Sequence, residues 1–363
     1  MKTPKVLHID IENGWRGGQN QAIYLYETEL QKGLDSHFIC KVNTDFHKIL
    51  KHKNLPHTAL NYKNEVDIFS AIRISKIAKK YEYNIINCHS SHSLSLGLLS
   101  KYFYSKSKII GVRRVDFKIK NNFLSKWKYN SDNLDALICV SDAIKNIMKN
   151  YIKNNNKLIV IHDGIDTQKY LGIDSSNLRK EYNLNDNIIV GTIAAFVGHK
   201  DYPTLLKTIK IISEIRNDIT FIALGDGPLF NNIKKLAEDL HISDNIIFTG
   251  FKENVGEFLN LFDIFILTSN EEGLGSTLLD AMSVGLPIVA TKAGGIPEII
   301  KDKTNGILCE IQDASSLANA VIQLVDNVEL RNLYGSNSKK IVQNFSIEKT
   351  AEKYFDLYQK LLA

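Results

Sequence analysis

Two successive arrays of alternating strand-length and helix-period segments predict an α/β protein built from two doubly wound, Rossmann-like parallel-sheet domains. Three observations carry that expectation. Apolar runs and amphipathic stretches alternate from the N-terminus to about residue 161. A polar stretch over about 163–186, with turn signals at Asp163-Gly164 and Leu171-Gly172, interrupts them, and the alternation then restarts. The length, 363 residues, suits two domains at roughly 100–200 residues each.

In chain order, Val6–Ile11 reads as a strand, Gln19–Lys32 as an amphipathic helix and Ser36–Val42 as a strand. Asn84–Cys88, Lys108–Val112, Asp135–Val140 and Lys157–Ile161 continue the strands, with helical periodicity at Asp67–Lys80 and Ser141–Tyr151. The second array offers Asn187–Ile193, Thr220–Leu224, Asn245–Thr249, Phe262–Leu267 and Pro287–Ala290. Ile347–Leu362 is apolar at helical spacing and reads as a terminal helix packing on another element. The expected division is 1–170, 171–345 and a terminal helix over 346–363 that packs back on the first domain. Sheets of this kind bind ligands at the carboxyl ends of their strands, so facing edges would form a cleft.

Composition narrows the class. Apolar residues make up 44% and charged residues 23%, which excludes a disordered or collagen-like chain. No run reaches the ~18 apolar residues of a membrane span, and Met1–Lys5 lacks the apolar region of a secretory leader, which predicts a cytoplasmic protein. Residues 1–170 hold 27 Lys+Arg against 15 Asp+Glu, a balance of +12. Residues 171–363 hold 18 against 25, a balance of −7, and the two sum to +5. The asymmetry points to an anionic partner for the first half, or to a Lys-rich composition with no such role. Cys40, Cys88, Cys139 and Cys309 form no CxxC pair and each ends an apolar run, so buried free thiols are expected and a zinc or redox motif is not.

The most informative segment is Thr268–Ile300. After a strand comes Glu271-Glu272-Gly273-Leu274-Gly275-Ser276-Thr277, then a helix pattern through Ser283 stopped by Gly285 with Pro287 just beyond. A glycine-containing loop feeding a helix leaves free backbone N–H groups at the positive end of the helix dipole, which suits phosphate. Gly273 and Gly275 allow close approach, and Ser276 and Thr277 add hydroxyls. Glu272 and Asp280 flank this site. Eight helical residues span ~12 Å, beyond the ~5–9.5 Å of paired glycosidase carboxylates. The two acids therefore suit opposite ends of one ligand, such as a nucleotide sugar. The plain alternative is that the glutamates complement the helix dipole and Asp280 lies on a solvated face.

Glu272 through Asp280, the Gly285-Leu286-Pro287 strand entry and Gly294-Gly295-Ile296-Pro297-Glu298 together resemble the signature of the family 4 retaining glycosyltransferases. Further pieces fall in matching order: Gly17-Gly18 in the first loop, Ser141, His162–Asp166, Lys200, Gly225–Pro228 and Phe248–Gly250. The resemblance implies the GT-B fold, with two Rossmann-like domains facing a cleft. It implies sugar transfer from a nucleotide-sugar donor with retained configuration, no cofactor and no obligatory metal. It also implies that Glu272 contacts the donor sugar, that Asp280 binds the ribose, and that Lys200 and the backbone of Gly275–Leu278 meet the diphosphate. Phe251 and Lys252 would lie near the base. Two positions depart from the family pattern: the second acid, usually Glu, is Asp280, and the position usually held by Arg before the lysine is Ala195. Arg16, Arg113 or Arg114 could supply the missing cation.

In the first domain, Gly14-Trp15-Arg16-Gly17-Gly18-Gln19 lies between strand and helix, where glycines admit a phosphate or sugar and Arg16 adds charge; a plain tight turn is the alternative. His92, which with Glu272 and Lys200 completes the catalytic candidates, follows a strand end and could orient a hydroxyl, while His89 suits strand-end packing. Arg113 and Arg114 stand where the family often has a His and offer guanidinium groups to phosphate or an anionic acceptor. Lys101–Asn130 is basic and aromatic. It suits either an anionic membrane surface or a helix that buries its aromatics and solvates its lysines; RNA binding is a more distant possibility, and no nucleic-acid partner is expected.

The resulting expectation is a cytoplasmic or peripherally membrane-bound retaining glycosyltransferase, with a saccharide or lipid-linked acceptor in cell-surface polysaccharide synthesis. The alternatives are a nucleotide-sugar epimerase of the same fold and a non-catalytic sugar-nucleotide-binding partner.

Overall fold

The computed structural model describes residues 3–14, 17–119, 122–184 and 186–363. Arg16, named above as a donor contact, lies outside the described residues, as does Trp15. The chain divides into two units, residues 1–164 with 347–363, and residues 165–346.

The first unit holds seven strands: β1 (Lys5–Asp10), β2 (Asp35–Lys41), β3 (His57–Leu60), β4 (Ile85–Cys88), β5 (Lys108–Arg113), β6 (Leu134–Cys139) and β7 (Leu158–Val160). Their order is β3-β2-β1-β4-β5-β6-β7, and every pairing is parallel. The second unit holds β8 (Ile188–Ile193), β9 (Ile219–Leu224), β10 (Ile246–Gly250), β11 (Ile264–Leu267), β12 (Ile288–Thr291) and β13 (Gly306–Cys309). Their order is β10-β9-β8-β11-β12-β13, again all parallel. Central strands such as β4 and β11 are buried at every residue, because helices cover both faces of a parallel sheet. The four cysteines are free and buried, as their positions at the ends of apolar runs predict.

Strands β3 and β13 escape the sequence reading. Each is a four-residue edge strand: β3 carries three half-buried residues, and β13 offers only the three-residue apolar run Ile307–Cys309, too short to mark a strand. The division also falls earlier than the expected boundary after residue 170. Ile165 forms a parallel bridge with Ser346, and its N–H bonds the carbonyl of Phe345, which draws 165 onward into the second unit. The stretch expected to be a linker contains the helix Ser176–Glu181, with Leu178 and Leu184 buried.

The terminal helix Ile347–Leu362 belongs to the first unit through a buried polar network. The Tyr358 hydroxyl donates to Glu29 Oε1 at 3.0 Å and accepts from Asn87 Nδ2 at 3.2 Å. Glu29 Oε2 lies 2.7 Å from His8 Nε2 and accepts from Ser36 Oγ at 2.7 Å, and His8 Nδ1 lies 2.9 Å from His89 Nε2. Each member is buried, so each needs its partner: an unpaired polar group here costs ~1–3 kcal/mol.

In the second unit the helix Ser276–Val284 ends at Gly285, whose φ of +89° suits only glycine without strain. Helix Val328–Val342 crosses this cap so closely that a Cβ on Gly335 would stand 2.2 Å from the Gly285 carbonyl oxygen. Alanine normally favours a helix over glycine by ~1 kcal/mol. Here the sign reverses: Gly335→Ala should destabilise the chain by about 1–3 kcal/mol, read as a lower urea midpoint with unchanged slope.

Candidate active site

In a doubly wound sheet, ligands sit where the strand order reverses, because the loops leaving the two central strands turn away from each other. In the second unit that point lies between β8 and β11. The loop after β8 carries Lys200 and the loop after β11 carries Glu272, and their side chains form an ion pair. Both are largely shielded from solvent, at 16% and 13% exposed. Ser269 Oγ adds a hydrogen bond to Glu272 Oε2 at 3.2 Å.

Backbone and hydroxyl contacts lock the two loops together. The Asn270 N–H donates to the His199 carbonyl at 2.8 Å, and Thr268 Oγ1 lies 3.2 Å from the carbonyl oxygens of Lys200 and Asp201. The Gly295 N–H donates to the Glu272 carbonyl at 2.9 Å, which ties in the Gly294-Gly295 turn after β12. Lys200 itself is set by a short 3-10 turn that ends at Asp201. Asp201, at φ +47°, caps the helix Tyr202–Ser213, accepting from the Thr204 N–H and hydroxyl, and Pro203 follows in the first turn.

Gly275, at φ +92°, delivers the chain into the helix Ser276–Val284 with no side-chain cap. The Leu278 N–H is already engaged with the Gly275 carbonyl at 2.9 Å. Among the described residues, the backbone donors left at this positive helix end are therefore those of Gly275, Ser276 and Thr277. A Cβ on Gly275 would meet Leu278 Cδ1 at 3.0 Å and Glu272 Cγ at 3.6 Å, so the glycine keeps this passage open. The Leu274 and Leu278 side chains are core residues, at 3% and 0% exposed, and only their backbones remain for a ligand. Gly273 is buried beside them.

Asp280 lies in the second turn of this helix. It is half-buried, not fully exposed. Burial pushes its carboxyl up from 3.8 to about 7, against the opposing charge of Lys169, and no hydrogen-bond donor reaches that carboxyl among the described residues. The two flanking acids thus differ in kind: Glu272 is paired, whereas Asp280 is half-buried and reached by no side-chain donor among the described residues. Phe251 and Lys252 follow β10 on the same sheet edge, with the Phe251 ring 67% exposed. Ala195, at the position usually held by Arg, is exposed.

The first unit repeats the theme at its own reversal, between β1 and β4. Glu12 follows β1 and His92 follows β4, and His92 Nδ1 lies 2.8 Å from Glu12 Oε1. That hydrogen bond raises the His92 pKa against the effect of partial burial. His89 points the other way into the core, where burial and the neighbouring His8 hold it well below its ordinary range. Gly17 and Gly18 open the helix Gly17–Gln31, and a Cβ on Gly18 would lie 3.3 Å from Arg114 Cδ. The Arg114 guanidinium is committed to Asp163, at 3.0 Å from Nε to Oδ1, and to the His89 carbonyl. Arg113 bonds the Phe117 carbonyl and the Tyr129 hydroxyl. Both arginines thus brace their own unit. Glu12 and Lys169 carry no local signal and become neighbours of His92 and Asp280 only through the fold; Thr268 and Ser269 lie inside the segment the sequence singles out, but their contacts with Lys200, Asp201 and Glu272 come only with the tertiary structure.

Two tests follow from these environments. Asp280 binds its proton more tightly folded than unfolded, so it subtracts stability as pH rises from about 4 through about 7. Asp280→Asn should therefore raise the melting temperature at about pH 8, with the gain vanishing near pH 4. Glu12→Gln should bring the His92 titration down toward the ordinary 6.5, followed by NMR of the imidazole signals.

A family model described as Glycosyl transferases group 1 matches residues 174–341, and one described as Glycosyltransferase Family 4 matches residues 15–169. The chain is 30% identical over 315 residues to an uncharacterized glycosyltransferase of Methanocaldococcus jannaschii, covering 85% of this chain and 84% of that one. It is 26% identical over 378 residues to the UDP-Gal:alpha-D-GlcNAc-diphosphoundecaprenol alpha-1,3-galactosyltransferase of Escherichia coli, covering 98% and 96%. Among solved structures, the Anabaena protein HepE in complex with UDP-glucose shares the fold, with a TM-score of 0.86 at 19% identity over 98% of this chain and 99% of that one.

Proposed function

The chain belongs to the group 1, family 4 glycosyltransferases, and from that premise we propose that it moves a sugar from a nucleotide-sugar donor, with retained configuration, to a saccharide or lipid-linked acceptor in cell-surface polysaccharide synthesis. The observation that carries this reading is the Lys200–Glu272 pair standing across the strand-order reversal, beside the uncapped start of the helix Ser276–Val284. A UDP-sugar donor is supported by the UDP-glucose bound to the Anabaena protein and by the UDP-Gal named for the Escherichia coli relative, whose named acceptor carries a diphosphoundecaprenol lipid.

In the free protein Glu272 neutralises Lys200. A donor diphosphate competes for the ammonium and for the amides of Ser276 and Thr277. Phosphate bears more charge than one carboxylate oxygen, so the exchange hands Lys200 to the leaving group and frees Glu272 to accept hydrogen bonds from sugar hydroxyls. As the sugar–phosphate bond breaks, negative charge grows on the β-phosphate, where the lysine and the helix end are already placed. The acceptor hydroxyl then attacks from the face that the phosphate leaves, giving its proton to that phosphate. Asp280, with its carboxyl near neutrality in the free chain, takes a ribose hydroxyl as its missing donor.

Lys200→Met and Glu272→Gln should each lower turnover of a UDP-sugar by about a hundredfold or more, with a melting temperature that shows the fold retained. A chain that transfers at the normal rate without either side chain would overturn the assignment. Isomerised donor in the absence of any acceptor would indicate an epimerase instead.

A further inference from the structure

The helix Phe123–Asn130 turns its side chains against the usual amphipathic sense. The Phe123 ring is 85% exposed, whereas Lys128 is 3% exposed and points inward, its Nζ donating to Glu65 Oε2 at 2.8 Å and Ser91 Oγ at 2.9 Å. The alternative of buried aromatics and solvated lysines thus holds at Tyr129, which is 4% exposed, and at Lys126, which is exposed, and fails at Phe123 and Lys128. Phe123, Lys126 and Trp127 are three and four residues apart and share the outer face. They line a cavity of about 710 Å³ with Ile119, Tyr151 and Lys153. Its lining includes two lysines and no carboxylate among the described residues, and Lys126 and Lys153 have no ion-pair partner there. Lys118 and Lys149 stand exposed close by in sequence.

An exposed phenylalanine next to a tryptophan is a poor match for water, and unpaired lysines beside them are a poor match for an apolar protein partner. A surface that offers phosphate charge above hydrocarbon satisfies both. We infer that this face of the first unit docks on an anionic phospholipid bilayer, with Phe123 and Trp127 at the headgroup level and Lys126 and Lys153 against lipid phosphates. No helix among the described residues is long and apolar enough to cross a membrane, so the contact is made at the surface. This goes beyond the transfer reading and does not depend on it.

The test mixes the full chain with sedimentable vesicles of phosphatidylglycerol and phosphatidylcholine, and with phosphatidylcholine alone. The chain should pellet with the anionic vesicles and progressively less as salt rises. Phe123→Ala should lower the partition coefficient roughly tenfold, and Lys126→Gln and Lys153→Gln roughly fivefold each. The chain has two tryptophans, so Trp15→Phe leaves Trp127 as the reporter, whose emission should shift to the blue on anionic vesicles. Phe123 is nearly free of protein contacts, so its variant keeps its melting temperature. Binding that ignores lipid charge, binding that survives Phe123→Ala, or retention on single-stranded RNA in place of vesicles would each overturn the inference. UDP-glucose binding, measured by thermal shift on the Phe123, Lys126 and Lys153 variants, should be unchanged; a wild-type chain that binds vesicles but no UDP-sugar would sink the donor reading and leave this one standing.

Discussion

The reversal of strand order between β8 and β11 is the constraint on which the second unit's chemistry rests. Parallel pairing brings the carboxyl ends of all six strands to one edge, and the reversal opens a gap between the loops that leave the two central strands. Lys200 and Glu272, far apart in sequence, meet across that gap. The hydrogen bonds from Asn270 to His199 and from Gly295 to Glu272 are backbone contacts. The geometry of the pair is therefore held by the fold more than by the pair itself.

Electrostatics then separates residues of the same type. Glu272 and Asp280 are both carboxylates within one short segment, yet one is neutralised by an ammonium while the other is half-buried with no donor reaching it among the described residues. A ligand offering phosphate at one end and hydroxyl groups at the other would relieve both conditions at once. The arginines of the first unit illustrate the opposite outcome. Arg113 and Arg114 look like anion receptors by composition, but their guanidiniums hold Phe117, Tyr129, Asp163 and the His89 backbone. The Arg114 guanidinium, shielded and paired with Asp163, is a strut, whereas Arg113 is half-buried and leaves its Nε without a partner among the described residues.

Much of the fold was legible because its signals are local. Central strands read as continuous apolar runs, since both faces are covered, and the Gly285 stop and the Asp201–Pro203 start follow from the φ demands and capping of single residues. The short edge strands β3 and β13 lacked that signal. The buried chain from His89 through His8 and Glu29 to Tyr358 was invisible for another reason: its members come from distant segments, and only packing makes them neighbours.

By itself the sequence determined the two-array architecture, the glycine-opened loop before a helix, and the acids and lysine that bear on a ligand. These depend on residue type and spacing, which the chain carries explicitly. The tertiary structure alone decided that Lys200 pairs with Glu272, that burial lifts the Asp280 carboxyl, and that Phe123 faces outward while Lys128 turns in. Those outcomes depend on what surrounds each side chain. Dielectric and charge partners are properties of a place in space, and a place exists only once the strands have paired.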